Sequence, residues 1–235
     1  MIKLSIIIPC YNEAKNIPLL ISRCQKVIAK EKDVEIVIVD NGSTDNTSEV
    51  IDELISNIHL ISRVHVEVNI GYGHGILAGL NSASGEILSW THADLQTDPL
   101  DLLNGLLFFK NSSNSELLFV KGRRYGRPIS DVIFTIGMGI FETFLMRKFM
   151  WDINAQPTMF HRNFFLTWGS PPHDFSLDLF AYYMAKKSNL EIKRFRVLFG
   201  ERAHGVSNWN INFLSKYNFI KRTLFYSFKL HNRLK

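Results

Sequence analysis

Three clusters of polar residues follow short apolar runs in the first part of the chain, and their side chains are of the types that bind ligands. They are Pro9-Cys10-Tyr11-Asn12-Glu13, Asp40-Asn41-Gly42-Ser43 and His92-Ala93-Asp94-Leu95-Gln96. Asp40 or Asp94, if desolvated without partners, would cost several kcal/mol, so each needs hydrogen-bond donors or a cation. A nucleotide and its metal would supply both. The alternative for Asp40 and Ser43 is an Asx turn that caps the next helix.

The apolar runs before these clusters have the pattern of strands buried on both faces of a parallel sheet. Apolar residues at helical spacing separate them, so the chain alternates strands with helices. Asp98 and Pro99 predict the N-cap and the first position of one helix. The predicted strands are 4–8, 35–39, 64–68, 87–90 and 117–120, and the predicted helices are 17–27, 44 or 45 to 55, 75–84, 100–109 and 175–185.

This alternation predicts an α/β fold with a Rossmann-like, mostly parallel central sheet that helices cover on both faces. Ligands of such sheets bind outside the carboxyl ends of the strands, which is where the polar clusters lie. A chain of 235 residues with 46% hydrophobic content fits one large domain. We expect this domain to span residues 1–210, followed by a C-terminal segment, 211–235.

Several features predict the cellular setting. The N-terminus lacks the charged region, apolar region and cleavage site of a secretory signal, which indicates a cytoplasmic protein. Cys10 and Cys24 form neither a CxxC pair nor part of a His cluster, so we expect two ordinary thiols. Charged residues, among them Asp131 and Glu142, interrupt the apolar stretch 129–150, which predicts no transmembrane helix.

The C-terminal segment combines aromatic residues with bases. Residues 216–235 hold six Lys or Arg and no acid, while the whole chain has a net charge of +5, so the remainder is close to neutral. A basic amphipathic helix of this kind can lie on an anionic membrane surface. The alternative is that its apolar face packs on the domain. Nucleic-acid binding is not expected, because nothing else in the chain resembles an RNA-binding module.

The three polar clusters resemble motifs of the family 2 glycosyltransferases, especially the dolichyl-phosphate mannose synthase-like branch. In the second cluster, the resemblance extends from Val39 and Asp40 through Thr44 and Asp45. The resemblance covers nearly the whole chain and implies the GT-A fold and a nucleoside diphosphate sugar as donor. It continues, in the right order, through Asn69-Ile70-Gly71 with Gly75 and Gly79, Asp152-Ile153-Asn154-Ala155-Gln156-Pro157 with Phe160 and Arg162, and Arg202-Ala203-His204-Gly205-Val206-Ser207.

The resemblance also implies which residues bind the donor. Asp40 would contact the nucleoside base, and Asp94 and Gln96 match the positions that hold a divalent metal. Mg²⁺ or Mn²⁺ suits this pair, because both ions prefer oxygen ligands and such sites often add water and substrate phosphates. The other candidates for nucleotide-sugar binding are Pro9, Tyr11, Glu13, Gly71, Ala93, Gln156 and Ser207.

His92 departs from the resembled branch, which has an acid two residues before Asp94. The change removes a negative charge from the expected site. His92 could hydrogen-bond a ribose or phosphate, could bind a softer metal such as Mn²⁺, or could simply fill the space.

Acceptor and catalytic candidates come from the second half of the chain. Arg124 and Arg127 are expected to hold an acceptor phosphate through guanidinium groups, the alternative being a solvated loop. A hydroxyl acceptor would need a general base, for which Asp152 and Asp178 are candidates. A lipid phosphate is already anionic and needs no strong base, so an acidic residue could orient the donor sugar instead. Arg202 and Ser207 match a loop that closes over the diphosphate in the resembled enzymes. A cation at Arg202 would stabilise the negative charge on the leaving group.

These residues predict an inverting sugar transferase that uses a nucleoside diphosphate sugar, a divalent metal and a polyprenyl-phosphate or glycan acceptor. The expected location is peripheral, at the cytoplasmic face of the inner membrane. One alternative is a non-catalytic nucleotide-sugar-binding or assembly protein. A nucleotidyltransferase would also use a nucleotide and a metal, but the glycine-rich basic loop that it needs is missing after the first strand.

Overall fold

A computed structural model describes residues 3–203 and 213–234 and places them around one seven-stranded sheet. The strand order is β3-β2-β1-β4-β6-β5-β7. The strands are β1 (Leu4–Cys10), β2 (Val34–Asn41), β3 (Ile61–Val66), β4 (Ile87–Trp90), β5 (Leu118–Tyr125), β6 (Thr158–His161) and β7 (Glu191–Leu198). The helices are α1 (Ile17–Lys30), α2 (Thr47–Ile55), α3 (Tyr72–Ser82), α4 (Asp101–Lys110), α5 (Ile129–Met146), α6 (Arg162–Leu166), α7 (Leu177–Lys187) and α8 (Phe213–Leu234).

Helices cover both faces of the sheet, because successive side chains of a strand point to opposite sides. Within β1, Ile6 and Ile8 pack in one core cluster with Leu20 of α1 and Leu102 of α4. Ile7, between them, packs in a second cluster with residues of α3 and α7. All of these side chains are fully buried. The predicted two-sided, mostly parallel sheet is therefore confirmed.

The parallel strands β1, β2 and β4 bring the polar clusters to one edge of the sheet. Cys10 at the end of β1 is in register with Asp40 of β2, and Ile7 is in register with Trp90 at the end of β4. The residues that follow each strand therefore emerge side by side.

One strand breaks the parallel arrangement. β6 lies between β4 and β5 and runs antiparallel to both. The sequence pattern did not predict β6, because four residues are too few to show a period. The strand carries Thr158 and joins the parallel strands β1 to β4 to the pair formed by β5 and β7.

The boundaries of two strands and one helix differ from the prediction, and the pairing between strands explains the two strand boundaries. The third strand is shifted to start at Ile61, which is in register with Ile36 of β2. The fifth strand extends beyond Val120 to Tyr125, because it pairs with β7 along its whole length. The fourth helix begins at Asp101 with Leu100 at its N-cap, so the prediction of Asp98 as N-cap and Pro99 as first position is wrong. The Asp98 carboxylate instead accepts a hydrogen bond from the Leu100 N–H (2.9 Å) in the turn before the helix.

Helix α5 differs from the prediction for the stretch 129–150. Among the described residues it is the one helix long and apolar enough to cross a membrane, with 18 residues and a mean hydropathy of 1.6. Asp131 and Glu142 are the only charged residues within α5. Two charges are too few to exclude a membrane-spanning helix, although the sequence predicted that they would. Length and composition do not by themselves distinguish a membrane span from a core helix, but only 17% of this helix is buried.

The described part of the C-terminal segment forms α8, which packs against α5. The rings of Phe141 and Phe228 meet edge to face at 5.6 Å, and the Ser227 hydroxyl donates to Glu142. Leu230 is buried as well. One face of the tail therefore packs on the rest of the chain, as the alternative interpretation expected, while Phe225 stays 62% exposed.

Candidate active site

Asp40 is held at the carboxyl end of β2 by the protein itself. One carboxylate oxygen accepts from the Ser43 N–H (3.0 Å), and the other accepts from the Ser48 hydroxyl (2.7 Å) and lies 3.2 Å from His65 Nδ1. Burial would raise the pKa of Asp40, but these hydrogen bonds outweigh it and lower the pKa. Asp40 thus hydrogen-bonds the backbone of its own loop, but it does not cap the next helix as the alternative expected, because the N-cap of α2 is Asn46. The hydrogen bonds of Asp40 fix an ionised carboxylate at the sheet edge.

The loop after β1 lies against the loop after β2. Asn12 has a left-handed backbone (φ 56°) and accepts a hydrogen bond from the Thr44 N–H (2.8 Å). Tyr11 is 47% exposed, with its ring free to meet a ligand. Burial raises the pKa of Glu13, and the charge of Asp94 raises it further. Glu13 and Asp94, far apart in sequence, therefore share one electrostatic environment.

The backbone near Gly71 makes a close approach that only glycine allows. Gly71 precedes α3 with φ 145°, and a Cβ there would lie 2.4 Å from the His173 carbonyl oxygen. The side-chain amide of Asn41 donates to the Gly71 carbonyl (3.1 Å), which joins this turn to the end of β2. The predicted nucleotide-side residues Asp40 and Gly71 are thus on adjacent segments.

Asp94 lies in the loop after β4 with its carboxylate almost fully buried. Its Oδ1 accepts from the Gln96 N–H (3.2 Å), and its Oδ2 lies 3.0 Å from the guanidinium of Arg202. The Gln96 side-chain amide donates to the Gly200 carbonyl (3.2 Å), and the Gly200 N–H donates to the Gln96 carbonyl (2.8 Å). The loop after β4 and the segment after β7 therefore form one unit. Ala93 is buried in the core beneath it.

The donor set at this loop fits a divalent metal completed by substrate. Asp94 contributes a carboxylate, and the hydrogen bond from Gln96 Nε2 leaves the Oε1 oxygen available. Mg²⁺ and Mn²⁺ are commonly held by one or two carboxylates together with substrate phosphates and water. Within residues 3–203 and 213–234 there is no group of three or more His, Cys, Asp or Glu that would form a metal site alone.

His92 faces the same cavity as Asp94. Its ring lies 5.8 Å from that of Tyr72, centre to centre, and Tyr72 in turn lies 5.4 Å from Phe175. The imidazole is therefore the polar end of an aromatic row, and the two ends of that row, His92 and Phe175, line the cavity wall. All three of the roles considered for His92 remain compatible with this position.

Asp152 is surrounded by the two arginines predicted to bind the acceptor. Arg124 donates to Asp152 Oδ1 from Nε (3.0 Å) and also from Nη2, and the Arg127 guanidinium lies 3.9 Å from the same oxygen. Burial would raise the pKa of Asp152, but the charges of Arg124 and Arg127 outweigh it and lower the pKa. Asp152 is an ionised partner of this pair, which makes it a weak proton acceptor.

Asp178 lies behind the cavity wall in a buried polar cluster. Its Oδ1 accepts from Gln156 Nε2 (2.9 Å) and Trp90 Nε1 (3.2 Å), and Lys121 Nζ is 3.9 Å away. Asp178 is 2% exposed and does not line the cavity. Gln156 also donates to the Tyr72 hydroxyl (3.3 Å), so this cluster supports the aromatic wall. The geometry favours a positioning role for Asp178 and Gln156.

Lys121 is a member of this cluster that the sequence analysis did not single out. It is fully buried and donates to the Thr158 hydroxyl (2.6 Å). Burial lowers its pKa to about 7, and the charge of Asp178 opposes that effect. A lysine at the start of a basic stretch gives no sequence signal of burial, so only the pairing of β5 with β6 reveals it.

A cavity of about 400 Å³ connects these groups with α5 and α8. Its lining includes Asp94, Gln96 and Arg202 from the two loops, together with Arg124 and Arg127. Helices α5, α7 and α8 contribute apolar residues, such as Phe134, Met138, Leu179 and Tyr226, mixed with polar ones, such as Asp131, Thr135 and Thr223. The cavity is therefore amphiphilic, with charged groups and apolar side chains in one lining.

Glu142 of α5 and Arg222 of α8 also line this cavity and were not predicted as site residues. Glu142 is 2% exposed, and its Oε2 has no hydrogen-bond partner among the described residues. An acid within an apolar stretch is a signal that the sequence does contain, because Glu142 stands alone as a charged residue among the apolar residues of the second half of α5. The predicted Ser207 lies outside the described residues.

Comparison with known proteins agrees with this geometry. Residues 5–165 match the profile of Glycosyl transferase family 2. An undecaprenyl-phosphate 4-deoxy-4-formamido-L-arabinose transferase of Proteus mirabilis is 35% identical over 103 residues, which is 43% of this chain and 31% of that protein. The corresponding transferase of Yersinia enterocolitica is 36% identical over 105 residues, with the same coverage. The match thus spans about a third of the length of these curated relatives.

Solved structures show the same fold at low identity. A Pyrobaculum calidifontis mannosyltransferase, in complex with GDP-Man and Mn²⁺, has a TM-score of 0.64 and 19% identity over 86% of this chain and 58% of its own. Glucosyl-3-phosphoglycerate synthase from Mycobacterium tuberculosis, in complex with Mn²⁺, UDP and phosphoglyceric acid, has a TM-score of 0.69 and 17% identity over 97% and 78%. With the family match over more than half of its length, the chain belongs to glycosyl transferase family 2.

Proposed function

We propose that the protein transfers a sugar from a nucleoside diphosphate sugar to a polyprenyl phosphate, using Mg²⁺ or Mn²⁺. The observation that carries this proposal is the amphiphilic cavity, which joins the Asp94 loop and the pair Arg124 and Arg127 to apolar side chains of α5 and α8. A lipid phosphate has the matching chemistry, with an anionic head and an apolar chain. The relatives of Proteus mirabilis and Yersinia enterocolitica are undecaprenyl-phosphate transferases, which supports the same acceptor class.

The donor would lie across the carboxyl ends of β1, β2 and β4. Asp40 and Glu13 would meet the nucleoside, and Asp94 with Gln96 would hold the metal on the diphosphate. When bound, the metal offsets the negative charge that develops on the departing diphosphate. Arg202, which lies beside Asp94, adds a cation directed at the same leaving group. The Mn²⁺ and nucleotide named for the solved neighbours support this assignment.

The acceptor phosphate would bind between Arg124 and Arg127. Asp152 offsets one of their two positive charges and fixes the Arg124 guanidinium through two nitrogens, whereas Arg127 lies 3.9 Å from Asp152 and donates to the Thr135 hydroxyl (2.8 Å). A phosphate oxygen is already anionic and attacks the anomeric carbon without a strong base. The new oxygen–carbon bond forms as the bond to the diphosphate oxygen breaks, and the electron pair leaves with the diphosphate. Displacement from the opposite side inverts the anomeric centre.

Contact with the cytoplasmic face of a membrane would deliver such an acceptor, and two helices support this contact. The apolar residues Ile129, Ile133, Ile136, Ile140 and Phe144 of α5 are at least 36% exposed and follow one helical stripe. On α8, Tyr217 and Phe225 are more than half exposed, beside bases such as Lys221. Exposed apolar rows with flanking bases suit an anionic bilayer surface. We therefore extend the proposed membrane contact from the tail to α5.

Calorimetry with UDP, GDP and dTDP in the presence of Mn²⁺ tests the donor assignment. Wild-type protein should bind at least one of them, and Asp94→Ala should lose the metal-dependent part of that binding. Glu116→Gln, an exposed acid far from the cavity, serves as the control and should bind like wild type. Absence of binding by all three nucleotides would refute the proposal.

Turnover separates an enzyme from a nucleotide-sugar-binding protein without activity. Donor hydrolysis or transfer to a short-chain polyprenyl phosphate should occur with wild-type protein and disappear in Asp94→Ala. Nucleotide binding without either reaction would favour the non-catalytic alternative.

Sedimentation with anionic liposomes tests the membrane contact. Ile140→Glu on α5 should reduce binding, because it adds a negative charge to the exposed stripe. Leu107→Glu on α4 is the matched control, since Leu107 is 52% exposed and Ile140 is 54% exposed. Equal loss in both variants, or in neither, would contradict the assignment of this face.

A further inference from the structure

The carboxylate proposed to hold the metal is paired with an arginine of the same protein. Arg202 Nη2 lies 3.0 Å from Asp94 Oδ2, and their side chains are 30% and 8% exposed. The pair joins the segment after β7 to the loop after β4, across 108 positions of the sequence. A salt bridge this well shielded from water is screened less than a surface pair.

The two oxygens of Asp94 have different partners, and this decides where a metal can bind. Oδ1 accepts the Gln96 N–H (3.2 Å) and keeps the loop in shape. Oδ2 is the oxygen left for a cation, and it is the one that Arg202 occupies. An arginine and a metal ion would therefore compete for the same oxygen.

Arg202 is also incompletely satisfied in this position. Its Nε is buried and has no hydrogen-bond partner among the described residues. A guanidinium group has five N–H donors in a planar fork and suits the paired oxygens of a phosphate. The donor diphosphate would supply acceptors that Asp94 alone does not.

The backbone around Arg202 is anchored, so an exchange requires only the side chain to move. Gly200 forms two hydrogen bonds with Gln96, through its N–H (2.8 Å) and its carbonyl (3.2 Å). These bonds keep the start of the segment next to the metal loop whichever anion the arginine contacts.

We propose that Arg202 is exchanged between two anions during substrate binding: it neutralises Asp94 in the free enzyme and transfers to the donor diphosphate when metal takes Asp94. This inference rests on the proposed function. In the free enzyme, metal must displace the arginine, which weakens metal binding. The diphosphate offers the arginine another partner, so metal and nucleotide strengthen each other's binding by the same factor. Arg202 thereby couples metal binding to donor binding.

Titration of Mn²⁺ by electron paramagnetic resonance, without nucleotide, tests this exchange directly. Arg202→Gln removes the competing charge and should bind Mn²⁺ roughly fivefold more tightly than wild type, the factor expected for an ion pair of modest strength. Arg202→Lys keeps the charge and should stay closer to wild type. Asp94→Ala defines binding elsewhere on the surface, which is subtracted.

Arg23→Gln is the matched control. Arg23 Nη1 lies 2.9 Å from Asp98 Oδ2, so this change also frees an aspartate, but neither residue lines the cavity. Its Mn²⁺ affinity should equal that of wild type. Melting temperatures of all variants establish that each is folded at the temperature of the titration.

The second measurement is the factor by which saturating Mn²⁺ tightens binding of UDP, GDP or dTDP, whichever wild type binds. That factor should be several-fold smaller in Arg202→Gln than in wild type. An Mn²⁺ affinity in Arg202→Gln equal to or weaker than wild type, or an unchanged coupling factor, would overturn the exchange without contradicting the proposed function. Failure of wild type to bind any of the nucleotides would instead refute the proposed function.

Discussion

Replacing Glu142 by Gln gives a sharp test of how α5 and α8 are held together. Glu142 is 2% exposed, one oxygen accepts from Ser227 of α8, and the other has no partner among the described residues. Burial raises the pKa of Glu142 from 4.5 to about 7, and the Ser227 hydrogen bond opposes this only in part. The neutral carboxyl is thus preferred in the folded state. Gln keeps the shape and the acceptor oxygen but does not ionise.

The size and sign of the effect follow from the two pKa values. One pKa unit corresponds to about 1.36 kcal/mol, so the interval from 4.5 to about 7 is worth about 3 kcal/mol at most. Because the folded state binds this proton more tightly, the contribution is complete below pH 4.5 and is lost as pH rises through 7. About 2 kcal/mol of it should be lost between pH 5.5 and 8. Glu142→Gln should lose none of it.

Urea denaturation followed by tryptophan fluorescence at pH 5.5 and pH 8 measures this difference. The free energy of unfolding of wild type should fall by about 2 kcal/mol more than that of Glu142→Gln over this interval. Glu116→Gln, which changes an exposed acid, should follow wild type. Parallel pH profiles for wild type and Glu142→Gln would refute the reasoning, because they would mean that the carboxyl is solvated or paired in the folded protein.

Three further changes test the site. Asp178→Asn should lower the melting temperature, because buried Lys121 loses its counter-charge. Its kcat should stay within about tenfold of wild type, and a loss above about a thousandfold would instead make Asp178 a catalytic base. Gly71→Ala should cost about 1–3 kcal/mol in urea denaturation from the strained φ and the clash with His173, and an unchanged midpoint would contradict this. Arg124→Lys should raise the KM for a polyprenyl phosphate severalfold, because lysine cannot hold Asp152 through two nitrogens. An unchanged KM would place the acceptor site elsewhere.

The sequence by itself determined the α/β class and the edge that carries the site. Strand and helix periods are local, and the polar residues that end β1, β2 and β4 follow directly from where those periods stop. Asp40 and Asp94 were therefore candidates before any contact was known, whereas Arg202 became one only through the family resemblance. The same local rule did not reach β6, which is short, or the true end of β5, which its pairing with β7 sets.

Only the tertiary structure decided which partner each charge takes. Spacing along the chain carries no signal that Arg202 lies on Asp94, that Asp152 lies between two arginines, or that Asp178 is sealed behind the wall. Two candidate bases that looked equivalent in sequence thus differ physically, one paired with cations and the other buried. The metal site expected at Asp94 and Gln96 remains a prediction. The structure adds Arg202, which occupies the Asp94 oxygen that a metal would use. Charge pairing depends on distances across the fold, which local periods do not encode.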